Sequence, residues 1–343
     1  MVMNMIKKTT FLFFGFIIIL LLVACHSKDD FPETDSGDTT EISMEAETEF
    51  SEPPVQGMTE ETTVDDIDIP GNAILSQRSF YGEKTGTEKT FTGFEPLGKI
   101  DFSSIVFSDK SLFSGEMISH SYGVATEEKP HSISVGYQKL FDEKLFDAIC
   151  YDSRTEQKVL YLTFDCGYEN GYTSKILDVL KEKDVKAAFF CTLPQMKDNK
   201  ELIARMITEG HIVGNHSVTH PNFSTLSEEK IVEEIKGFDD YIRENFGYSS
   251  FYFRFPEGKY SERALSVIND LGYKCVFWSL AYADWDTSAQ KGAMHAYETV
   301  ISRLHPGAVI LLHSVSSDNA EALADIIDTA RLRGYEFCSL ENL

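Results

Sequence analysis

From Lys158 to the C-terminus, short apolar runs alternate with amphipathic helical patterns, and this alternation restricts the fold more than any other feature of the chain. Strand-like runs occupy residues 159–164, 187–191, 211–213, 251–253, 275–278, 309–312 and 336–338. Helical periodicity fills most of the intervals, over 174–183, 200–208, 228–244, 262–271, 293–304 and 319–331. Continuous apolar runs set between helices read as parallel strands buried on both faces. Such alternation gives a parallel sheet with helices outside it. Thr225-x-x-Glu228 reads as a capping box opening the third helix, and Gly272 and Gly334 fall where C-cap glycines belong. Roughly seven units in this space are too few for a regular eight-fold barrel, which takes about 250 residues. The expected fold is α/β, a distorted and incompletely closed (β/α) barrel of about seven strands. An open doubly wound sheet is the second reading.

Parallel α/β folds carry their chemistry at strand C-termini. The first run ends in Asp165 and Cys166, and the third leads to His216 and His220. The fourth runs into Arg254-Phe-Pro-Glu-Gly258, the fifth is followed by Asp284 and Trp285, and the sixth ends in His313. If the alternation holds, all of them share one rim. His216 and His220 have the i, i+4 spacing that puts two imidazoles on one side of a helical turn, where they can share a metal. Two solvent-facing histidines would show the same spacing. A single histidine on such a rim is more often structural, but three with two aspartates and an arginine form a constellation.

In chain order, Thr163-Phe-Asp-Cys-Gly167, His216-x-x-x-His220, Arg254-x-Pro-x-Gly258, Asp284-Trp285 and Leu311-x-His313 resemble the five motifs of the polysaccharide deacetylases with a NodB homology domain, carbohydrate esterase family 4. Gly167-Tyr-Glu-Asn-Gly-Tyr-Thr173, Gly210-His-Ile-Val-Gly-Asn-His216 and His305-Pro-Gly-Ala-Val-Ile-Leu-Leu-His313 are similar to one branch, the δ-lactam-biosynthetic de-N-acetylases that act on muramic acid in spore cortex peptidoglycan. The similarity runs from about Tyr122 to the C-terminus.

The resemblance implies a hydrolase that removes N-acetyl groups from peptidoglycan amino sugars, N-acetylmuramic acid first. N-acetylglucosamine, in peptidoglycan or another polysaccharide, is the alternative substrate. The resemblance also implies Asp165 as general base, Arg254 as its ionic partner, His313 as general acid and Asp284 as the group that holds the His313 tautomer. Tyr168, Pro256 and Trp285 fall at substrate-binding positions, although by residue type Trp285 reads first as core packing. A divalent metal held by His216 and His220, with backbone N–H groups near Arg254, would stabilise the oxyanion. At one position the chain departs from the family, since Cys166 stands where a second Asp is the third ligand. A Cys-His-His set favours zinc, whereas a neutral Cys166 thiol leaves two histidines that hold metal weakly. A non-catalytic glycan-binding lipoprotein is the reading from a different class.

The N-terminal part has another character. Lys7 and Lys8 precede an apolar run over 11–23, and Leu22-Val23-Ala24-Cys25 resembles a lipobox. Residues 1–25 are expected to be a lipoprotein signal peptide with Cys25 lipidated. The alternative is an uncleaved anchor, and both place the folded part outside the cytoplasmic membrane. Residues 26–98 read as an acidic, disordered linker, since His26 to Pro70 holds fifteen acids and one base, Lys28. The formal net charge of −24 argues against nucleic acid as a partner. The expected partners are peptidoglycan glycan strands and the membrane, through the lipid anchor, with the chain itself a monomer. Residues 99–152 read as an extension packed on the main domain, with a helix over 138–149, and 153–343 as the deacetylase domain. Without Cys25, the cysteines are odd in number and lack a short-spaced pair, which argues against a disulfide framework.

Overall fold

The computed structural model describes residues 78–82, 84–85 and 93–343. The expected signal peptide, Cys25 and most of the acidic linker lie outside those residues. The main sheet contains β1 (Ala148–Ile149), β2 (Val159–Cys166), β3 (Ala188–Cys191), β4 (Ile212–Asn215), β5 (Tyr252–Phe253), β6 (Lys274–Val276), β7 (Ala308–His313) and β8 (Glu336–Phe337). Their order is β7-β2-β3-β4-β5-β6-β1, with β8 beside the start of β2. Every neighbouring pair is parallel.

The two ends of this curled sheet do not join as a ladder. Isolated bridges span the gap, from Tyr151 just beyond β1 to Ala308, and from Leu280 beyond β6 to Ile310. The result is the incompletely closed barrel of seven strands expected from the alternation. Successive side chains of a strand alternate between faces. On β2, Leu160, Leu162, Phe164 and Cys166 pack against the helical layer, while Tyr161 joins Ala188, Phe190, Ile212, Val276 and Val309 on the other face.

The helices are α1 (Ser132–Glu143), α2 (Thr173–Glu182), α3 (Leu193–Asp198), α4 (Lys200–Thr208), α5 (Glu228–Phe246), α6 (Glu262–Asp270), α7 (Ala293–Ile301) and α8 (Ser317–Leu332). Each longer helix lays an apolar stripe on the sheet. On α2 the stripe includes Ile176, Leu177 and Leu180, all fully buried, and each stabilises the fold by about 1.5–3 kcal/mol. Gly272 and Gly334 follow α6 and α8 with φ of 85° each, the left-handed stop that glycine adopts without strain.

Four expectations need correction. The cap of α5 is Ser227, whose hydroxyl accepts from Lys230 N, whereas the Thr225 hydroxyl is bonded to Asn222 O in the preceding 3-10 turn. The helix expected over 138–149 is α1, which starts at Ser132 under a His131 cap. Its expected end is instead strand β1, so the block 99–152 contributes to the main sheet rather than only packing on it. The linker does not extend to residue 98. Ser79–Tyr81 pairs antiparallel with Tyr248–Ser250, and Phe80 stacks on Phe251. A three-residue strand among Gly and Thr is too short to show a period.

Helix α5 also buries a carboxyl. Asp239 accepts from Tyr273 Oη at 3.2 Å, and burial pushes its pKa from 3.8 up to about 7, against the opposing pull of Arg243. The folded state therefore loses stability as pH rises from the ordinary carboxyl range to about 7, where the penalty levels off. Asp239→Asn keeps the acceptor and removes the titration. It should be more stable than the parent at pH 8 by about 2–4 kcal/mol and equal to it at low pH. Urea midpoints across this range check it, and an unchanged pH slope refutes it.

Candidate active site

Strands β2 and β7 are neighbours in register, with His313 directly opposite Asp165. Residues paired in this way project to the same face, so both side chains enter one cleft. The next residue must point the other way. Cys166 pairs in register with Cys191, is fully buried and belongs to the helix-side core. A hydrogen bond with Cys166, together with burial, pushes the Cys191 thiol up. Cys166 thus packs as a small buried hydrophobe turned away from this rim, which favours the two-histidine alternative over the Cys-His-His set.

Arg254 follows β5 and is fully buried. Its Nη1 donates to Asp165 Oδ1 at 2.8 Å, its Nε to Val276 O at 2.8 Å and its Nη2 to Phe277 O at 3.2 Å. The guanidinium also lies 4.2 Å from the centre of the Phe190 ring. Burial by itself raises the Asp165 pKa, but the Arg254 guanidinium, aided by His313, outweighs it and holds the carboxyl below its ordinary value. Arg254 N donates to Asn215 O, so this backbone amide is committed to the sheet.

His216 Nδ1 lies 2.9 Å from Arg254 O, and its Nε2 lies 3.6 Å from Asp165 Oδ2. Burial pushes its pKa down to about 4, so the ring is neutral. With Nδ1–H donating to a carbonyl, the lone pair sits on Nε2. The His220 ring meets His216 edge-on at 4.9 Å, so the two imidazoles converge as their spacing implied. The means differ, because Ser217 and His220 have φ of 75° and 57° and the segment is not helical. Side chains that the sequence did not single out hold this strained loop. Glu234 of α5 accepts from Val218 N, Thr219 N and Thr219 Oγ1, and Ser217 Oγ accepts from His220 N.

Among the described residues, no three His, Cys, Asp or Glu side chains are grouped to hold a metal ion. Two converging imidazoles fit a labile divalent ion that keeps water ligands, and they do not make a closed structural site.

Asp284 is buried, and its Oδ1 accepts from His313 Nδ1 at 2.7 Å while its Oδ2 accepts from His313 N at 2.8 Å. Burial lowers the His313 pKa, but the hydrogen bond and charge of Asp284, aided by Asp165, more than reverse this and leave it raised. The side chain of His313 retains 24% exposure, which opens it to the cleft.

The cleft has a volume of about 990 Å3 and is lined by Asp165, His216, His220 and His313 together with flat aromatic walls. Tyr168 and Trp285 line it at 53% and 60% exposure, so Trp285 is not core packing. Pro256 is buried and does not line the cleft, which corrects its assignment to substrate binding. Its neighbour Glu257, at φ 55°, lies on the cleft instead.

A sequence profile described as polysaccharide deacetylase matches residues 152–276. The chain is 46% identical over 199 residues to the peptidoglycan-N-acetylmuramic acid deacetylase PdaA of Bacillus subtilis strain 168, covering 58% of this chain and 75% of that protein. The chain belongs to the polysaccharide deacetylase family. The solved structure of Bacillus subtilis PdaA, a family 4 carbohydrate esterase, superposes on this deacetylase with a TM-score of 0.64 at 41% identity, over 67% of this chain and 97% of that one. A Bacillus cereus peptidoglycan-N-acetylglucosamine deacetylase is 31% identical to it over 186 residues, covering 53% of this chain and 66% of that protein.

Proposed function

We propose that this deacetylase hydrolyses the N-acetyl amide of amino sugars in peptidoglycan, and that N-acetylmuramic acid is its substrate. The observation that carries the reading is the in-register pair Asp165 and His313, each held by its own buried partner, on one wall of an aromatic-lined cleft. Similarity to PdaA supports the muramic acid assignment.

Asp165, kept ionised by Arg254, takes a proton from water as the oxygen attacks the acetyl carbon. His313, kept protonated by Asp284, gives a proton to the amide nitrogen as the C–N bond breaks. The products are acetate and a free sugar amine. His216 and His220 would hold a divalent ion, zinc by its preference for imidazole, which supplies Lewis-acid polarisation of the acetyl carbonyl. Tyr168 and Trp285 offer flat faces for sugar rings. The lipobox-like Leu22-Val23-Ala24-Cys25 supports an extracytoplasmic chain tethered by lipid at Cys25, with the acidic linker as spacer and glycan strands within reach.

Similarity to the Bacillus cereus enzyme favours N-acetylglucosamine as the second reading. Acetate release from glycan oligosaccharides acetylated on either muramic acid or glucosamine alone separates the two. Release from the muramic form is expected, with loss under chelator and recovery on adding zinc. Release from the glucosamine form alone moves the substrate assignment. Silence on both, with every added divalent ion and with a working relative alongside, rules out the activity.

A further inference from the structure

We infer that Asn319 is a positioning residue for the reaction, acting through Asp284 on His313. This rests on the assignment of His313 as the acid proposed above. Asn319 lies in the first turn of α8 and is fully buried. Its backbone N–H donates to the cap hydroxyl of Ser316 at 3.1 Å, so the helix start anchors it. Its side chain faces the acid pair. Nδ2 donates to Asp284 Oδ2 at 2.5 Å and to His313 O at 3.2 Å.

An amide can flip, and a flipped Asn319 would place its oxygen against a carboxylate and a carbonyl. The two acceptors themselves prevent this, because a carboxylate and a carbonyl have no proton to give. The Tyr282 hydroxyl then donates to Asn319 Oδ1 at 2.5 Å and completes the bonds of the amide. Tyr282 also lines the cleft, so the chain Tyr282–Asn319–Asp284–His313 runs from the substrate surface to the acid. With Oδ2 of Asp284 engaged by Asn319 Nδ2 and His313 N, Oδ1 is left to face His313 Nδ1. The carboxylate cannot rotate without breaking one of these bonds.

The loop that carries Asp284 is tied to the same helix start by other groups. Gln290 Nε2 donates to Asp284 O at 3.0 Å, and Gln290 Oε1 accepts from Ser316 Oγ at 2.6 Å. Asp318 Oδ2 accepts from Lys291 N and Gly292 N, both at 2.7 Å. These contacts hold the loop in place, whereas Asn319 fixes the carboxylate within it. The division predicts that loss of Asn319 impairs turnover more than binding.

The test is a double-mutant cycle on acetate release from muramic-acetylated glycan oligosaccharides, using the full chain. Asn319→Leu should lower kcat by about ten- to a hundredfold and change KM by less than about threefold, the signature of a displaced catalytic group. In an Asp284→Asn background the same change should cost less than about threefold further, because the path through Asp284 is already cut. An equal loss in both backgrounds, or a loss confined to KM, overturns the inference. An Asp284→Asn variant with parental activity sinks the reading of His313 and Asp284 instead.

Asn319→Asp serves if the leucine variant does not fold. The new carboxyl faces the Asp284 carboxylate, the His313 carbonyl and the Tyr282 hydroxyl, with Asp318 acting on Tyr282, and the charges acting on His313 are Asp284, Asp165 and Arg254. When protonated, the new side chain donates to Asp284 as the amide does, and when ionised it repels it. The activity of Asn319→Asp relative to the parent should therefore rise as pH falls, with melting temperature followed in parallel. A ratio that is flat with pH overturns the inference.

Discussion

Replacing Asp165 with Asn should lower kcat for acetate release by about a hundredfold to ten-thousandfold while leaving the fold intact at low temperature. Asparagine keeps the shape and one acceptor for Arg254 Nη1, so the loss isolates the missing base. The variant also leaves the buried guanidinium without a counter-charge. That guanidinium keeps its bonds to Val276 O and Phe277 O, which limits the damage. Arg254→Met does the converse and leaves a buried carboxylate unpaired, which should cost about 3–5 kcal/mol of stability. Denaturant midpoints and kcat measured on the two variants separate the roles. If Asp165→Asn retains full turnover, the base lies elsewhere.

Replacing Asp284 with Asn should lower kcat and move the alkaline limb of the kcat/KM profile to lower pH. The sign follows from the surroundings of His313. Burial alone lowers its pKa, and Asp284 reverses this by hydrogen bond and charge. A general acid works in its protonated form, so a raised pKa extends activity upward in pH. Without the carboxylate charge, protonated His313 is lost at lower pH, and turnover should fall by about a hundredfold or more near neutrality. His313→Ala should remove that limb altogether. A limb that stays in place in Asp284→Asn would mean that another group supplies the proton.

The sequence carried the sheet because parallel strands buried on both faces must be apolar throughout, and the seven runs after Lys158 became β2 to β8. It carried the rim because β strands end where their apolar runs end, which placed Asp165, Arg254 and His313 at one level. Strand β1 escaped because two residues, Ala148 and Ile149, have no readable period and continue an amphipathic pattern. Cys166 was left between two readings for a related reason. Motif position identified it with a ligand, but period-two alternation beside Asp165 turns it to the helix side. Pro256 shares a motif with Arg254 yet is buried, while Glu257 takes the left-handed turn onto the cleft. Glu234 and Asn319 were invisible because their roles depend on contacts across the fold, from helices that the sequence presented as ordinary amphipathic elements.

The most direct test is acetate release from stem-free glycan strands by the parent and Asp165→Asn side by side, both confirmed folded. Release by the parent and none above background by the variant is the predicted result. Equal release by both would contradict the assignment of Asp165 and His313 as the pair that cleaves the amide.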